Sequence, residues 1–177
     1  MATDTRPKAK KHVHRVPGWA ASAPVDWVLR NAARDGLTEV VASQLELGTA
    51  VDSLDVSGNT ALLLASEAGH LEVVKRLLAA GAKTEVRTKA GMTAYLTGCM
   101  HGHPEVGEEL LRGKADPHAV DNWGQAAMVR AVDMDHPEVV EMIRRVTGER
   151  PPDKYFWYYP ESDSTDDEAV PEPGPGC

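Results

Sequence analysis

The chain has 177 residues, of which 42% are hydrophobic, with a net charge of −8 and two cysteines. That length supports one modest domain, no apolar run approaches the roughly 18 residues of a membrane span, and two distant cysteines do not form a disulfide framework. We therefore expect a soluble protein of a reducing compartment, cytoplasmic, with the nucleus as the alternative.

The first segment of the chain is basic. Residues 1–18 carry a net charge of +4, and we assign residues 1–23 to a basic N-terminal arm. A solvated arm is the simplest interpretation, although nuclear import, an anionic surface or RNA would also suit it. Because the rest of the chain is acidic, we expect nucleic acid contacts only at this arm.

A 33-residue period organises the middle of the chain. The run Asp55–Leu62 returns as Thr88–Tyr95, and glycines recur at 58, 91 and 124. The period divides the domain into units 24–54, 55–87, 88–120 and 121–148. One such unit cannot bury its apolar face alone, so the pattern predicts a stack of repeats.

Each unit is predicted to contain two helices, a tight turn between them and a long loop after them. In the second unit, Thr60 should cap a helix over 61–68, and Gly69 should end it in the left-handed conformation. Residues 71–79 should form the second helix. The last unit has Arg144 where the second has Leu78, which suits a terminal unit whose outer face meets water.

These residues resemble the ankyrin repeat family over about 24–148. Asp55-x-x-Gly58-x-Thr60-Ala-Leu62 resembles its opening motif, and Ala68–Val74 followed by Leu77-Leu78 resembles its continuation. The resemblance implies an all-α repeat solenoid of helix-turn-helix units with β-hairpin-like loops and a concave wall of inner helices. The family's usual Thr-Pro-Leu-His has lost its Pro and His in every unit. Since that Pro preorganises a helix start, we expect lower stability than in a consensus array.

The resemblance also implies a function, because the family usually binds proteins through its loop tips and concave face. We therefore predict a non-enzymatic protein-binding adaptor. Exposed apolar side chains at such positions favour a true interaction surface; the alternative is that they lean on neighbouring loops. Carried over position by position, the predicted partner-binding residues are Leu54, Val56, Asn59, Glu67, Arg87, Lys89, Met92, Met100, His101, Val120, Asn122, Trp123, Gln125, Asp133 and Met134.

Residues 149–177 lie outside the period. Five consecutive aromatic side chains cannot share one face of a helix or strand, so some should dock on the last repeat near Val146, enter a partner or remain exposed. In the acidic stretch after them, Ser164 and Thr165 each precede an acid by three residues and could be phosphorylated, although a solvated spacer is the plainer reading. The aromatic run is Tyr155, Phe156, Trp157, Tyr158 and Tyr159.

The sequence offers little chemistry for catalysis. It contains no nucleophile elbow, phosphate loop or His-Glu-x-x-His motif. Cys99-Met-His101-Gly-His103 superficially resembles a metal-ligand cluster, but no second ligand pair lies at the usual spacing. We expect no catalytic residues, no metal and no cofactor. The alternative to an adaptor is a structural subunit of a large multiprotein assembly, anchored by its N- and C-terminal tails.

Overall fold

The computed structural model describes residues 25–150. Within that range the chain forms eight helices and no strand, which confirms the predicted all-helical repeat stack. The basic arm and the aromatic and acidic tail lie outside the described residues. The helices are α1 Val25–Arg34, α2 Thr38–Glu46, α3 Ala61–Glu67, α4 Leu71–Ala79, α5 Ala94–Met100, α6 Pro104–Arg112, α7 Ala127–Asp133 and α8 Pro137–Thr147.

The helices form two layers. In the inner layer α1 packs on α3, α3 on α5 and α5 on α7, while in the outer layer α2, α4, α6 and α8 follow in the same order. Each inner helix also packs on the outer helix of its own unit. The long loops lead from each outer helix to the next inner helix, so their tips line up beside the inner layer. No helix among residues 25–150 is long and apolar enough to cross a membrane.

Threonine caps set the start of two inner helices. The Thr60 hydroxyl accepts a hydrogen bond from the Leu63 amide at 3.2 Å, as the sequence predicts, and Thr93 accepts from Leu96 at 3.3 Å. In the fourth unit this position is Ala126, which provides no side-chain cap. Because replacing such a cap by alanine costs about 1 kcal/mol, α7 begins less securely than α3 and α5.

The turns between paired helices use the left-handed conformation. Gly69 has φ +75° and ends α3 one residue earlier than predicted. The same position in the fourth unit is Asp135, at φ +59°. A Cβ in this region costs roughly 1–2 kcal/mol, and aspartate tolerates it better than most residues.

One histidine in each of the last three units ties that unit to the repeat before it. A Cβ built on Gly69 would lie 2.6 Å from Cε1 of His103, so the imidazole covers this glycine directly. His70 covers Gly36 in the same way. These histidines occupy a different position from the one the family motif lost, so the stack keeps a histidine tie between units.

In the core of the third unit, a larger residue on the inner helix is accompanied by a smaller one on the outer helix. Tyr95 is fully buried where the second unit has Leu62. Gly107 stands where the second unit has Val74, and a Cβ there would lie 2.6 Å from Cε of Met142 and 3.7 Å from Cε2 of Tyr95. The small residue on the outer helix therefore makes room for the larger side chains.

The register of the outer layer explains how the stack ends. Leu78 reaches forward onto Gly113, 3.0 Å from where a Cβ would be, and Leu111 lines one concavity with Val146. The next residue in this series is Arg144, whose Nη1 lies 3.6 Å from Oε2 of Glu141. A charged residue thus occupies the position that would meet a fifth unit, in agreement with a polar terminal face.

Candidate protein-binding groove

The same pattern of side-chain to backbone hydrogen bonds shapes the loop tips. The second, third and fourth units each begin with a loop tip, which we name the second, third and fourth loop after its unit. The first residue of each tip accepts two backbone hydrogen bonds from residues two and four positions on, which closes a tight turn. Asp55 Oδ1 accepts from the amides of Ser57 and Asn59, both at 2.8 Å. Thr88 Oγ1 accepts from the amides of Ala90 and Met92, at 3.3 and 3.2 Å. Asp121 Oδ1 accepts from the amides of Trp123 and Gln125, at 2.8 and 3.0 Å.

Each turn is a short hairpin. Asp55 N donates to Asn59 O at 3.0 Å, and Thr88 N donates to Met92 O at 3.0 Å. In the fourth unit, Val120 and Ala126 add an antiparallel bridge. The predicted β-hairpin-like loops are therefore present.

Two predicted site residues hold adjacent loops together. The Asn122 side-chain amide donates to the Lys89 carbonyl at 2.8 Å, and Arg87 Nη1 donates to the Val120 carbonyl at 2.6 Å. Arg87 and Asn122 therefore each bond the backbone of a neighbouring loop. Their partners are backbone atoms, so Arg87 keeps an uncompensated positive charge at the tips.

Between the second and third loops lies a concavity of about 370 Å³. Its walls come from two loop tips and from the last turns of α3 and α5. The structure therefore brings together six of the predicted site residues. They are Asn59, Glu67, Lys89, Met92, Met100 and His101.

Met92 does not lie where the sequence prediction put it. We expected an exposed loop tip, but only 9% of its surface is accessible, and the residue packs in the core. The cause is the Thr88 turn, which folds the loop back just before the Thr93 cap and draws the side chain beneath the tip. Met92 forms the floor of the concavity, whereas Met100, which is half-buried, forms part of its wall.

Two polar groups of the concavity remain available to a ligand. Lys89 is exposed and makes no ion pair with any residue from 25 to 150. His101 Nδ1 lies 2.9 Å from the Thr97 carbonyl oxygen. Since a carbonyl only accepts, Nδ1 is the donor and Nε2 is left for another partner.

A second concavity, of about 580 Å³, lies between the first and second units. It joins the exposed predicted residues Leu54 and Val56 to three residues that sequence reasoning missed, Trp27, Arg30 and Arg34. The period alone could have identified Arg34, because it precedes the predicted site residue Glu67 by 33 residues. The predicted site residues on the inner helices, however, came only from the second, third and fourth units.

The comparisons with known proteins agree with this geometry. A family model described as ankyrin repeats, in three copies, matches residues 29–121. That span is more than half of the chain.

The protein belongs to the ankyrin repeat family.

No curated protein matches the chain. The ankyrin match ends at Asp121, where the fourth loop begins, and the pair α7 and α8 extends the array by one further unit.

Beyond the two concavities, the ankyrin array presents Trp123 at the tip of its fourth loop. The indole is 67% exposed. The Arg130 guanidinium lies 5.4 Å from the centre of the ring and is bonded to the buried Asp121 carboxylate, with Nε 2.9 Å from Oδ2. This cation–π contact holds a large exposed ring in one place, which suits it as an anchor for a partner. Met134, half exposed in the same unit, does not line either concavity.

The carboxylate of Asp121 stays ionised for a local reason. Burial favours the neutral form, but hydrogen bonds from the Gln125 amide, the Arg130 side chain and the Trp123 amide outweigh it and lower the pKa of Asp121. In the second loop, the amide and side chain of Asn59 lower the pKa of Asp55 in the same way against its burial. Both carboxylates are therefore ionised and stabilise the loop turns by accepting their backbone amides.

The residues of the apparent metal motif do not converge. Cys99 is fully buried, which raises the pKa of its thiol to about 12. His103 instead bonds the Glu67 carbonyl, and His101 faces the groove. Among residues 25–150, no group of three or more His, Cys, Asp or Glu could hold a metal ion.

Proposed function

We propose that this protein is a non-enzymatic adaptor that binds another protein along its concave groove and loop tips. Ankyrin repeats are generally protein-interaction modules. We assign the binding to one surface of the stack, its groove. The groove comprises the two concavities and the exposed tips that border them.

One observation carries the proposal: the groove and its tips contain large apolar side chains that the fold leaves exposed. The exposed fractions are 56% for Leu54, 89% for Val56 and 67% for Trp123. Burying such side chains in a partner is favourable, at about 25 cal/mol per Å² of apolar surface. Trp and Met are also enriched at interfaces.

The test uses one groove variant and one matched control in the full chain. The groove variant combines Val56→Ser with Trp123→Ala. The control is Leu47→Ser, which removes an equally exposed apolar side chain (74% exposed) at the end of α2. Partners captured by affinity purification are identified by mass spectrometry, purified, and titrated against each variant by calorimetry.

We expect the groove variant to bind at least tenfold more weakly, since a central anchor contributes about 2 kcal/mol or more. The control should bind within twofold of the parent, and both variants should keep their helical circular dichroism. Equal affinity of the groove variant and the parent would refute the groove. The alternative assembly role is anchored by tails outside the described residues; binding that survives the groove variant but is lost from residues 20–150 alone would support it.

A further inference from the structure

We propose that the acidic and aromatic segment Tyr155–Glu168 of this same chain binds the concave groove beside Lys89. There it would compete with the partner, so the regulatory meaning of this contact rests on the proposed function. The contact itself does not.

The groove is locally positive in an acidic body. Residues 25–150 contain 13 Lys and Arg against 19 Asp and Glu. The two concavities are lined by three cations, Arg30, Arg34 and Lys89, against two carboxylates, Asp55 and Glu67. Arg34 is already paired with Asp35, with Nε 3.3 Å from Oδ1, so Lys89 is the cation that an acidic segment would meet. An acidic segment is therefore repelled by most of the body and attracted here.

The charges at the loop tips also lack carboxylate partners. Lys89 has no ion pair within the described range, and Arg87 donates to the carbonyls of Gly91 and Val120. The outer helices differ, because their cations are already compensated by glutamates. The pairs there are Lys75–Glu72, Arg112–Glu109, Arg144–Glu141 and Arg145–Glu108.

The segment has the chemistry that this groove would bind. It begins with five aromatic residues and continues with five acids between Glu161 and Glu168. The concavity of about 370 Å³ has the Met92 and Met100 side chains in its lining, and Lys89 lies beside them. Thioether sulfurs pack well against aromatic rings, so a ring can enter the concavity while the acids that follow meet Lys89 and Arg87.

The segment can also reach the groove. The described chain ends at Arg150, next to Glu149, whose Oε1 lies 2.7 Å from Nδ1 of His118, in the long loop between α6 and α7. The last described residues therefore lie beside the long loops. Helix pairs pack about 10 Å apart, so the groove lies roughly 20 Å along the stack, whereas five to nine extended residues span about 17 to 32 Å. A tether this short gives an effective concentration of about 1 mM, so a dissociation constant of about 1 mM is enough to fill half of the grooves.

The test places one spin label in the full-length chain. Cys177→Ser and Ser162→Cys leave a single accessible thiol, because Cys99 is fully buried. A nitroxide on residue 162 broadens the NMR signals of nearby backbone amides. We expect the amides of Asn59, Lys89 and His101 to fall below about half intensity, while those of Lys75 and Arg112 on the outer helices keep theirs.

Charge reversal identifies the contact. Lys89→Glu should lower groove occupancy about threefold, the effect expected for one exposed charge pair, and 0.5 M salt should act in the same direction. Lys83→Glu is the matched control, since it makes the same charge change in the same long loop without lining either groove concavity, and should leave the broadening unchanged. The dispersion of the amide spectrum reports whether each variant is folded.

Three outcomes overturn the proposal. Broadening confined to Val146 and its neighbours would place the segment on the last repeat. Broadening of an isotope-labelled chain by a separate spin-labelled chain, at equal strength, would place it on a second copy. Unbroadened groove amides would show that the groove is empty. None of these bears on partner binding, which the Val56 and Trp123 variant tests separately.

Discussion

His103 Nε2 lies 3.0 Å from the carbonyl oxygen of Glu67, in the preceding repeat, and its ring covers Gly69. His70 Nε2 makes the same contact with the Arg34 carbonyl, also at 3.0 Å. The carbonyls belong to the last turns of α3 and α1, which lack intrahelical partners. Each histidine therefore satisfies the end of one inner helix and fixes the next repeat against it.

This contact makes Gly69 more sensitive to substitution than a glycine of the same conformation elsewhere. Gly69→Ala should cost about 2 kcal/mol in free energy of unfolding, from the left-handed backbone and from displacement of the His103 ring with its hydrogen bond. Gly81→Ala is the control, since Gly81 has φ +83° and nothing within 4 Å of its Cβ position, and should cost about 1 kcal/mol. Urea unfolding measures both. Equal losses would mean that the histidine contact contributes nothing to stability.

The buried Asp121 carboxylate should make stability depend on acid pH. Asp121→Asn keeps an oxygen for the turn but leaves Arg130 without its anion, and should cost about 2 kcal/mol at pH 7. The pKa of Asp121 is lowered from its usual 3.8. Its contribution is therefore present above pH 3.8 and is lost as pH falls through the lowered pKa. Urea titrations of parent and variant should converge in that acidic range.

Asp55→Asn is the matched comparison for this prediction. Asp55 accepts the same two turn bonds, but its remaining oxygen receives the Asn59 amide rather than an arginine. It should cost less than about 1 kcal/mol at pH 7, since no buried cation is left unpaired. A loss as large as that of Asp121→Asn would show that the turn, and not the arginine pair, carries the effect.

The hydroxyl of Tyr95 should be dispensable. It is buried beside the Cys99 thiol but makes no hydrogen bond of normal geometry, and burial raises the pKa of the phenol. An unsatisfied buried hydroxyl costs about 1 kcal/mol or more, so Tyr95→Phe should raise the free energy of unfolding by about 1 kcal/mol. Tyr95→Leu should instead lower it by about 2 kcal/mol through a cavity. A loss on Tyr95→Phe would reveal a hydrogen bond to the thiol.

Cys99 should report opening of the third repeat. With the pKa of its thiol raised to about 12, only about one molecule in ten thousand is thiolate at pH 8, and the sulfur is covered. In the Cys177→Ser chain, reaction with a disulfide reagent should be at least a hundredfold slower in the native state than in 6 M guanidinium. Native labelling at the denatured rate would contradict the burial of α5.

The sequence by itself determined the repeat. The 33-residue period follows from the repetition of similar residues along the chain. The Thr60 cap, the Gly69 turn and the second helix at 71–79 follow from local chemistry within a dozen residues, and the structure confirms these three. The polar terminal face was also readable, because Arg144 breaks an apolar series at a known position. Local signals of this kind need no knowledge of which repeats touch.

Only the tertiary structure decided which predicted site residues are available. Met92 is drawn into the core by a turn that closes behind it, Arg87 and Asn122 are committed to neighbouring loops, and Arg34 joins the groove from the first unit. The positions of Arg87 and Asn122 depend on contacts between residues 33 positions apart, where one repeat meets the next. A period fixes the position of each residue within its unit, but the fit between units determines whether a side chain is covered, tied or left for a partner.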